Sequence, residues 1–75
     1  MSMNGLEQNI MYQFLVRNEG KKYSVTEIAQ GVGTHISVAL YESYERLRRE
    51  LDYMVDHEII ESTFEGGDIR YYFNM

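Results

Sequence analysis

The sequence predicts an α+β fold in which three helices precede a carboxyl-terminal two-stranded β-hairpin. Two observations predict it. Apolar residues recur at helical spacing in three segments separated by glycine, and the last segment alternates apolar and polar residues around Gly66-Gly67. The 75 residues include no proline or cysteine. We therefore expect a single small domain over residues 1–75, stabilised by packing without disulfides.

The first helix is predicted from about residue 5 to about residue 18. Asn4 stands at the position of an amino-terminal cap, and Asn18-Glu19-Gly20 supplies a stop. The apolar residues expected on its buried face are Leu6, Ile10, Met11, Phe14 and Leu15.

The second helix is predicted from about residue 25 to about residue 31, because Ser24-Val25-Thr26-Glu27 has the form of a capping box. Before it, Lys21-Lys22-Tyr23 is expected to be a link or a short strand. Gly31 is expected to end the helix. Val32 is then expected to enter the core, and Thr34 to cap the next helix.

The third helix is predicted from about residue 35 to about residue 57, where no residue breaks a helix. At about 1.5 Å per residue it is long for so small a domain. One end is therefore expected to project, or the helix to break near Tyr41 to Tyr44. The residues expected on its apolar face are Leu40, Tyr44, Leu47, Leu51, Met54 and Val55.

The hairpin strands are predicted at about residues 59–64 and 69–73. With the turn at Glu65-Gly66-Gly67-Asp68, the pairs that share one apolar face are Ile60 with Phe73, Ser62 with Tyr71, and Phe64 with Ile69. The residues expected on the opposite face are Glu61, Thr63, Glu65, Asp68, Arg70 and Tyr72.

This order of elements resembles the winged helix-turn-helix superfamily. The resemblance is carried by the run from Ser24 to Ala29 and by the passage from Met54-Val55 through Ile59-Ile60-Glu61 to Gly66-Gly67. Two features depart from the family pattern. The stretch between Glu27 and Ile59 is longer by roughly two helical turns. His57-Glu58 also stands where glycine is common, so a non-glycine residue is expected to adopt a left-handed conformation at a cost of about 1 kcal/mol.

The resemblance implies a transcription regulator of the bacterial or phage type that binds duplex DNA as a homodimer. Its third helix would enter the major groove amino end first, and basic wing residues would meet the phosphate backbone. By this resemblance the candidate DNA-binding residues are Lys21, Lys22, Thr34, His35, Ser37, Arg46, Arg49 and Arg70.

Charge and aromatic content favour a second hypothesis, a protein-interaction module. Acidic residues outnumber basic ones by 12 to 7, which gives a net charge of -5 and disfavours phosphate binding. Glutamates three or four residues away on the third helix are expected to pair with Arg46 and Arg49. Tyrosine is enriched at protein interfaces. Of seven tyrosines, those off the predicted core faces are Tyr41, Tyr53 and Tyr72, our candidate contacts for a protein partner.

No catalytic or metal-binding constellation is predicted. His35 and His57 have no second histidine at ligand spacing, and Asp52, Asp56 and Glu58 are expected to form a solvated helix face. We therefore expect no enzymatic activity, no cofactor and no metal. The sequence contains no run of about 18 apolar residues. We expect a cytoplasmic protein with no membrane partner.

Overall fold

The computed structural model describes residues 5–32 and 40–75, with side chains described at 5–32 and 44–75. Its elements are α1 (Gly5–Arg17), α2 (Val25–Val32), α3 (Leu40–Asp56), β1 (Glu61–Glu65) and β2 (Asp68–Tyr72). The two strands form an antiparallel hairpin. The predicted α+β fold is confirmed, and its order of elements matches a winged-helix layout. We call β1, β2 and their Gly66-Gly67 turn the wing.

The three helices, β2 and Ile60, which precedes β1, contribute to one hydrophobic core. Its fully buried side chains are Met11, Leu15, Val25, Ile28, Val32, Leu47, Leu51, Met54, Ile60 and Tyr71. The prediction for Leu6 is wrong, because this side chain is 68% exposed. The buried stripe of α1 runs instead through Glu7, Met11 and Leu15, which are spaced four residues apart.

The capping box at α2 is confirmed. The Ser24 N–H donates to Glu27 Oε1 at 3.0 Å, and the Glu27 N–H donates to Ser24 Oγ at 3.2 Å. The helix extends to Val32, one residue beyond its predicted end at about Gly31. Glycine is required inside the helix because the ring of Phe14 lies against it, and a Cβ on Gly31 would come within 2.5 Å of that ring.

The backbone of α3 is continuous from Leu40 to Asp56, so the break considered near Tyr41 to Tyr44 does not occur. The predicted helix start near residue 35 and the Thr34 cap lie outside the described residues. At the other end, Glu58 has a φ of 60°, which confirms the expected left-handed residue. The Ile59 N–H donates to the Met54 carbonyl and the Glu58 N–H to the Val55 carbonyl, at 2.8 and 2.9 Å, the Schellman arrangement.

The register of the wing is confirmed for Phe64 with Ile69 and for Ser62 with Tyr71. The predicted start of β1 at about residue 59 is wrong. The strand begins at Glu61, because the N–H groups of Ile59 and Ile60 both donate to Met54. The Ile60 and Phe73 pair accordingly lies beyond the ladder of the wing.

A single bridge between Tyr23 and Tyr71 adds a third backbone segment beside β2. This confirms that the link before α2 includes a short strand-like position. The bridge places Lys22 next to the wing, so the charges of the link and of the wing belong to one surface.

Candidate interaction surface

One face of the wing carries a set of charged and hydroxyl groups that bond to one another. We call it the wing polar face; its residues are Glu61, Thr63, Glu65, Asp68, Arg70 and Tyr72, with Lys22 and Glu27 bonded to it. Arg70 Nη1 donates to Glu27 Oε1 at 2.8 Å and to the Lys22 carbonyl at 3.4 Å. Lys22 Nζ donates to Glu65 Oε2 at 2.8 Å. Both cations on this face are therefore engaged by carboxylates.

Ionisation of these groups follows from their contacts. The hydrogen bond and charge of Glu65 raise the pKa of the Lys22 amine above its ordinary value. The bond from the Ser24 N–H, followed among the favourable causes by the Arg70 guanidinium, lowers the pKa of Glu27. Both shifts favour the charged forms of Lys22 and Glu27 at neutral pH. With two further carboxylates on the face, Glu61 and Asp68, and no further cation on it among the described residues, the surface keeps an acidic surplus.

Tyr72, a predicted protein contact, lies within this set. Its hydroxyl donates to Glu61 Oε1 at 3.0 Å, and this bond raises the pKa of the phenol. Lys22 Nζ lies 5.5 Å from the centre of the Tyr72 ring, a cation–π distance. The Tyr72 residue is half-buried.

Arg46, a predicted DNA contact, is held between two helices. Its Nε and Nη2 donate to Glu7 Oε1 and Oε2 at 3.1 and 2.8 Å, a bidentate ion pair from α3 to α1. The Glu7 side chain is only 12% exposed. The sequence had predicted a partner for Arg46 on its own helix. This partner lies 39 positions earlier in the chain.

The other predicted DNA contacts divide into two groups. Lys21 and Arg49 are exposed and form no ion pair with a described residue, as is also true of Arg17. Beside Arg49, Arg48 is not among the predicted contacts and pairs with Glu45 and Asp52 on its own helix. The positions that lie outside the described residues are Thr34, His35 and Ser37, together with the side chain of Tyr41.

Tyr53, the remaining predicted protein contact, is 41% exposed. Its ring stacks on His57 with 4.1 Å between ring centres. His57 Nδ1 lies 2.9 Å from the Tyr53 carbonyl, so the imidazole donates to an end carbonyl of α3 and serves as a cap. The pair lies on α3 and does not join the wing polar face.

Tyr71 connects the wing to α3. Its side chain is completely buried and its hydroxyl donates to Asp52 Oδ1 at 2.6 Å. Burial, and then this bond to a carboxylate, raise the pKa of the phenol well above its ordinary value. A neutral buried tyrosine thus fixes the base of the wing against α3.

Beyond Tyr71 the apolar face of the wing leaves the core. Phe64 is 70% exposed and its cross-strand neighbour Ile69 is 38% exposed. Both residues are predicted on the apolar face of the hairpin, and neither is among the predicted site residues. Their position immediately beside the Gly66-Gly67 turn was the available signal, because the tip of a hairpin lies farthest from its base.

An open cleft of about 510 Å³ lies where α3 passes into β1. Its lining combines the apolar side chains of Val55 and Ile60 with Glu58, Glu61 and Ser62. Acidic groups and apolar surface therefore lie together at the start of β1.

Among the described residues, no group of three or more His, Cys, Asp or Glu side chains could hold a metal ion. Over the same residues, no helix has the length and apolar character needed to cross a membrane. Comparisons with protein-family models, curated proteins and solved structures found no match to this chain.

Proposed function

We propose that this chain is a non-enzymatic protein-interaction module of winged-helix layout, and that its acidic wing surface engages a basic protein partner. One observation supports the proposal above the others: Lys22 and Arg70, the wing cations that duplex DNA would require, are both occupied by carboxylates. Phosphate would have to displace Glu65 and Glu27 and would still meet their charge. A lysine-rich or arginine-rich protein surface meets no such barrier. Under this proposal the protein acts in the cytoplasm.

The test begins with duplex DNA. We expect labelled random-sequence duplex to show no change in fluorescence anisotropy with micromolar protein at about 50 mM salt, a condition that favours any phosphate binder. Binding that is strong at this salt and collapses at about 200 mM would contradict the proposal.

The second arm identifies the partner directly. The full chain is crosslinked in its native cells, and the captured protein is purified and titrated against it. We expect a partner with net positive charge whose affinity falls as salt rises, because the contacts are between exposed charges. An acidic or neutral partner with no salt dependence would be evidence against a charge-directed interaction.

Duplex DNA binding as a homodimer is the second candidate, in which the protein regulates transcription by occupying a promoter site. It is favoured by the winged-helix layout together with Lys21 and Arg49, which are exposed and form no ion pair within the described part of the chain. Under this candidate Lys21→Ala with Arg49→Ala abolishes salt-dependent DNA binding. Neither side chain pairs with a described carboxylate, so the double variant keeps the stability of the parent and isolates the binding effect.

A further inference from the structure

We propose that the outer edge of β1 binds an extended, basic segment of the partner by strand addition. The inference rests on the proposed function, and it names the surface and the chemistry of the partner. In strand addition, backbone hydrogen bonds provide affinity, and alternate side chains provide specificity.

The backbone of β1 is available on one side. The Tyr71 N–H and carbonyl bond to Tyr23, at 2.7 and 2.9 Å, so they point away from β1. Ser62, opposite Tyr71, therefore belongs to a non-hydrogen-bonded pair. Because such pairs alternate with bonded ones, Phe64 opposite Ile69 does so too. The N–H and carbonyl groups of Ser62 and Phe64 then point to the outer edge, where no strand of the described chain pairs with them.

The side chains along this edge define the pattern of the segment. Phe64 projects from one face of β1, whereas Glu61 and Glu65 project from the other. All three are exposed. Since paired residues on adjacent strands share a face, an apolar residue of the segment would lie beside Phe64 and basic residues beside the two glutamates. The expected partner segment alternates lysine or arginine with apolar residues.

The cleft at the start of β1 extends the same pattern. It combines Glu58 and Glu61 with the apolar side chains of Val55 and Ile60. A lysine or arginine side chain suits this lining, because its apolar stem can lie against the half-buried Val55 while its charge reaches a carboxylate.

Charge also decides against the two other occupants of this edge. Pairing with β1 of a second copy would bring glutamates of one chain beside those of the other, and each copy carries a net charge of -5. Duplex DNA would meet the same carboxylates. A basic polypeptide is the occupant whose charge complements the edge.

The probe is a labelled peptide of about seven residues, alternating lysine and valine, titrated against the full chain by fluorescence anisotropy. Two further peptides carry N-methyl groups on the lysine amides or on the valine amides. We expect one methylated set to weaken binding by at least about tenfold, the loss expected for one or more net hydrogen bonds. The other set, whose amides face away from β1, should bind like the unmodified peptide.

Two protein variants of equal net charge separate this edge from general attraction. Glu61→Lys reverses a charge beside β1, while Glu19→Lys reverses an exposed charge at the end of α1. We expect Glu61→Lys to weaken peptide binding strongly and Glu19→Lys to have little effect on it. Equal losses of peptide affinity in the two variants would overturn the assignment of the binding site to the outer edge of β1.

The remaining outcomes distinguish failure of the strand-addition proposal from failure of the proposed function. If both methylated peptides bind like the parent, or if the crosslinked partner binds while the peptide does not, strand addition is wrong and the basic partner stands. If neither binds, both proposals fail. Duplex DNA that displaces the peptide assigns the edge to nucleic acid, and a dimer in sedimentation that prevents the peptide from binding assigns it to a second copy.

Discussion

Contacts with distant parts of the chain determine the environment of several polar side chains in this protein. Tyr71 is an example. A tyrosine in an alternating strand can face either the core or the solvent, and here its hydroxyl donates a hydrogen bond to Asp52. Because this hydrogen bond gives the hydroxyl a partner, the ring can be completely buried.

Removing this hydroxyl should destabilise the protein. We expect Tyr71→Phe to lower the free energy of unfolding by about 1 to 2 kcal/mol at neutral pH, because a bond to a charged acceptor is lost. Urea denaturation followed by circular dichroism measures the change. An unchanged midpoint would show that the bond contributes nothing net.

The same residue makes stability depend on alkaline pH. Its folded pKa is raised above the ordinary value of 10.0, so its contribution is fully present below about pH 10 and is lost as pH rises further. We expect the stability difference between parent and Tyr71→Phe to shrink as the pH is raised above about 10. The other tyrosines are common to both proteins and cancel in that comparison.

Glu58 stores backbone strain at the end of α3. We expect Glu58→Gly to raise the free energy of unfolding by up to about 1 kcal/mol, because glycine adopts a positive φ without the Cβ clash. Glu45→Gly is the matched control. The same substitution inside α3 should cost about 1 kcal/mol, so the two variants should shift the thermal midpoint in opposite directions.

At the scale of elements, the helices are joined by a close packing contact and an ion pair. Gly31 allows α2 to approach Phe14 on α1, and the Phe14 ring is itself held against Tyr23 with 5.0 Å between ring centres. Arg46 and Glu7 join α3 to α1. Both contacts fix helix positions that helical periodicity leaves open.

Gly31→Ala tests the packing contact. Replacing an exposed helical glycine by alanine normally raises the free energy of unfolding by about 1 kcal/mol. Here we expect a loss of about 1 to 3 kcal/mol, because the new methyl group overlaps the Phe14 ring. Thermal unfolding decides the sign, and a gain in stability would show that the ring moves aside at little cost.

Arg46→Ala tests the ion pair and also the DNA hypothesis. We expect a loss of about 1 to 3 kcal/mol in the free energy of unfolding, because Glu7 would keep its charge in a mostly buried position. If Arg46 instead serves as a DNA contact, the variant should unfold like the parent and lose DNA affinity.

At the scale of the whole molecule, the distribution of ion pairs controls what the surface can bind. We expect Glu27→Gln with Glu65→Gln to gain salt-sensitive affinity for duplex DNA, because the substitutions release Arg70 and Lys22. Glutamine retains the capping interaction at α2, so the fold should persist. Glu19→Gln with Glu58→Gln has the same net charge and should gain much less. Equal gains in DNA affinity for the two double variants would show that net charge alone controls DNA binding.

The sequence by itself determined the features that depend on neighbours along the chain. Ser24 and Glu27 form their capping box because both groups belong to one helical turn. Phe64 faces Ile69 because the two glycines of the turn, with φ of 62° and 79°, set the register. The left-handed Glu58 likewise follows from the need to end α3 before β1.

The tertiary structure alone decided which charges remain available and which apolar side chains remain exposed. Arg46 lies 39 positions from Glu7, and Lys22 lies 43 positions from Glu65, so helical and strand periodicity cannot relate them. Periodicity also placed Phe64 on the correct face of the wing, but the core ends before the wing does. Side-chain direction is local, whereas burial and ion pairing depend on what another part of the chain brings close.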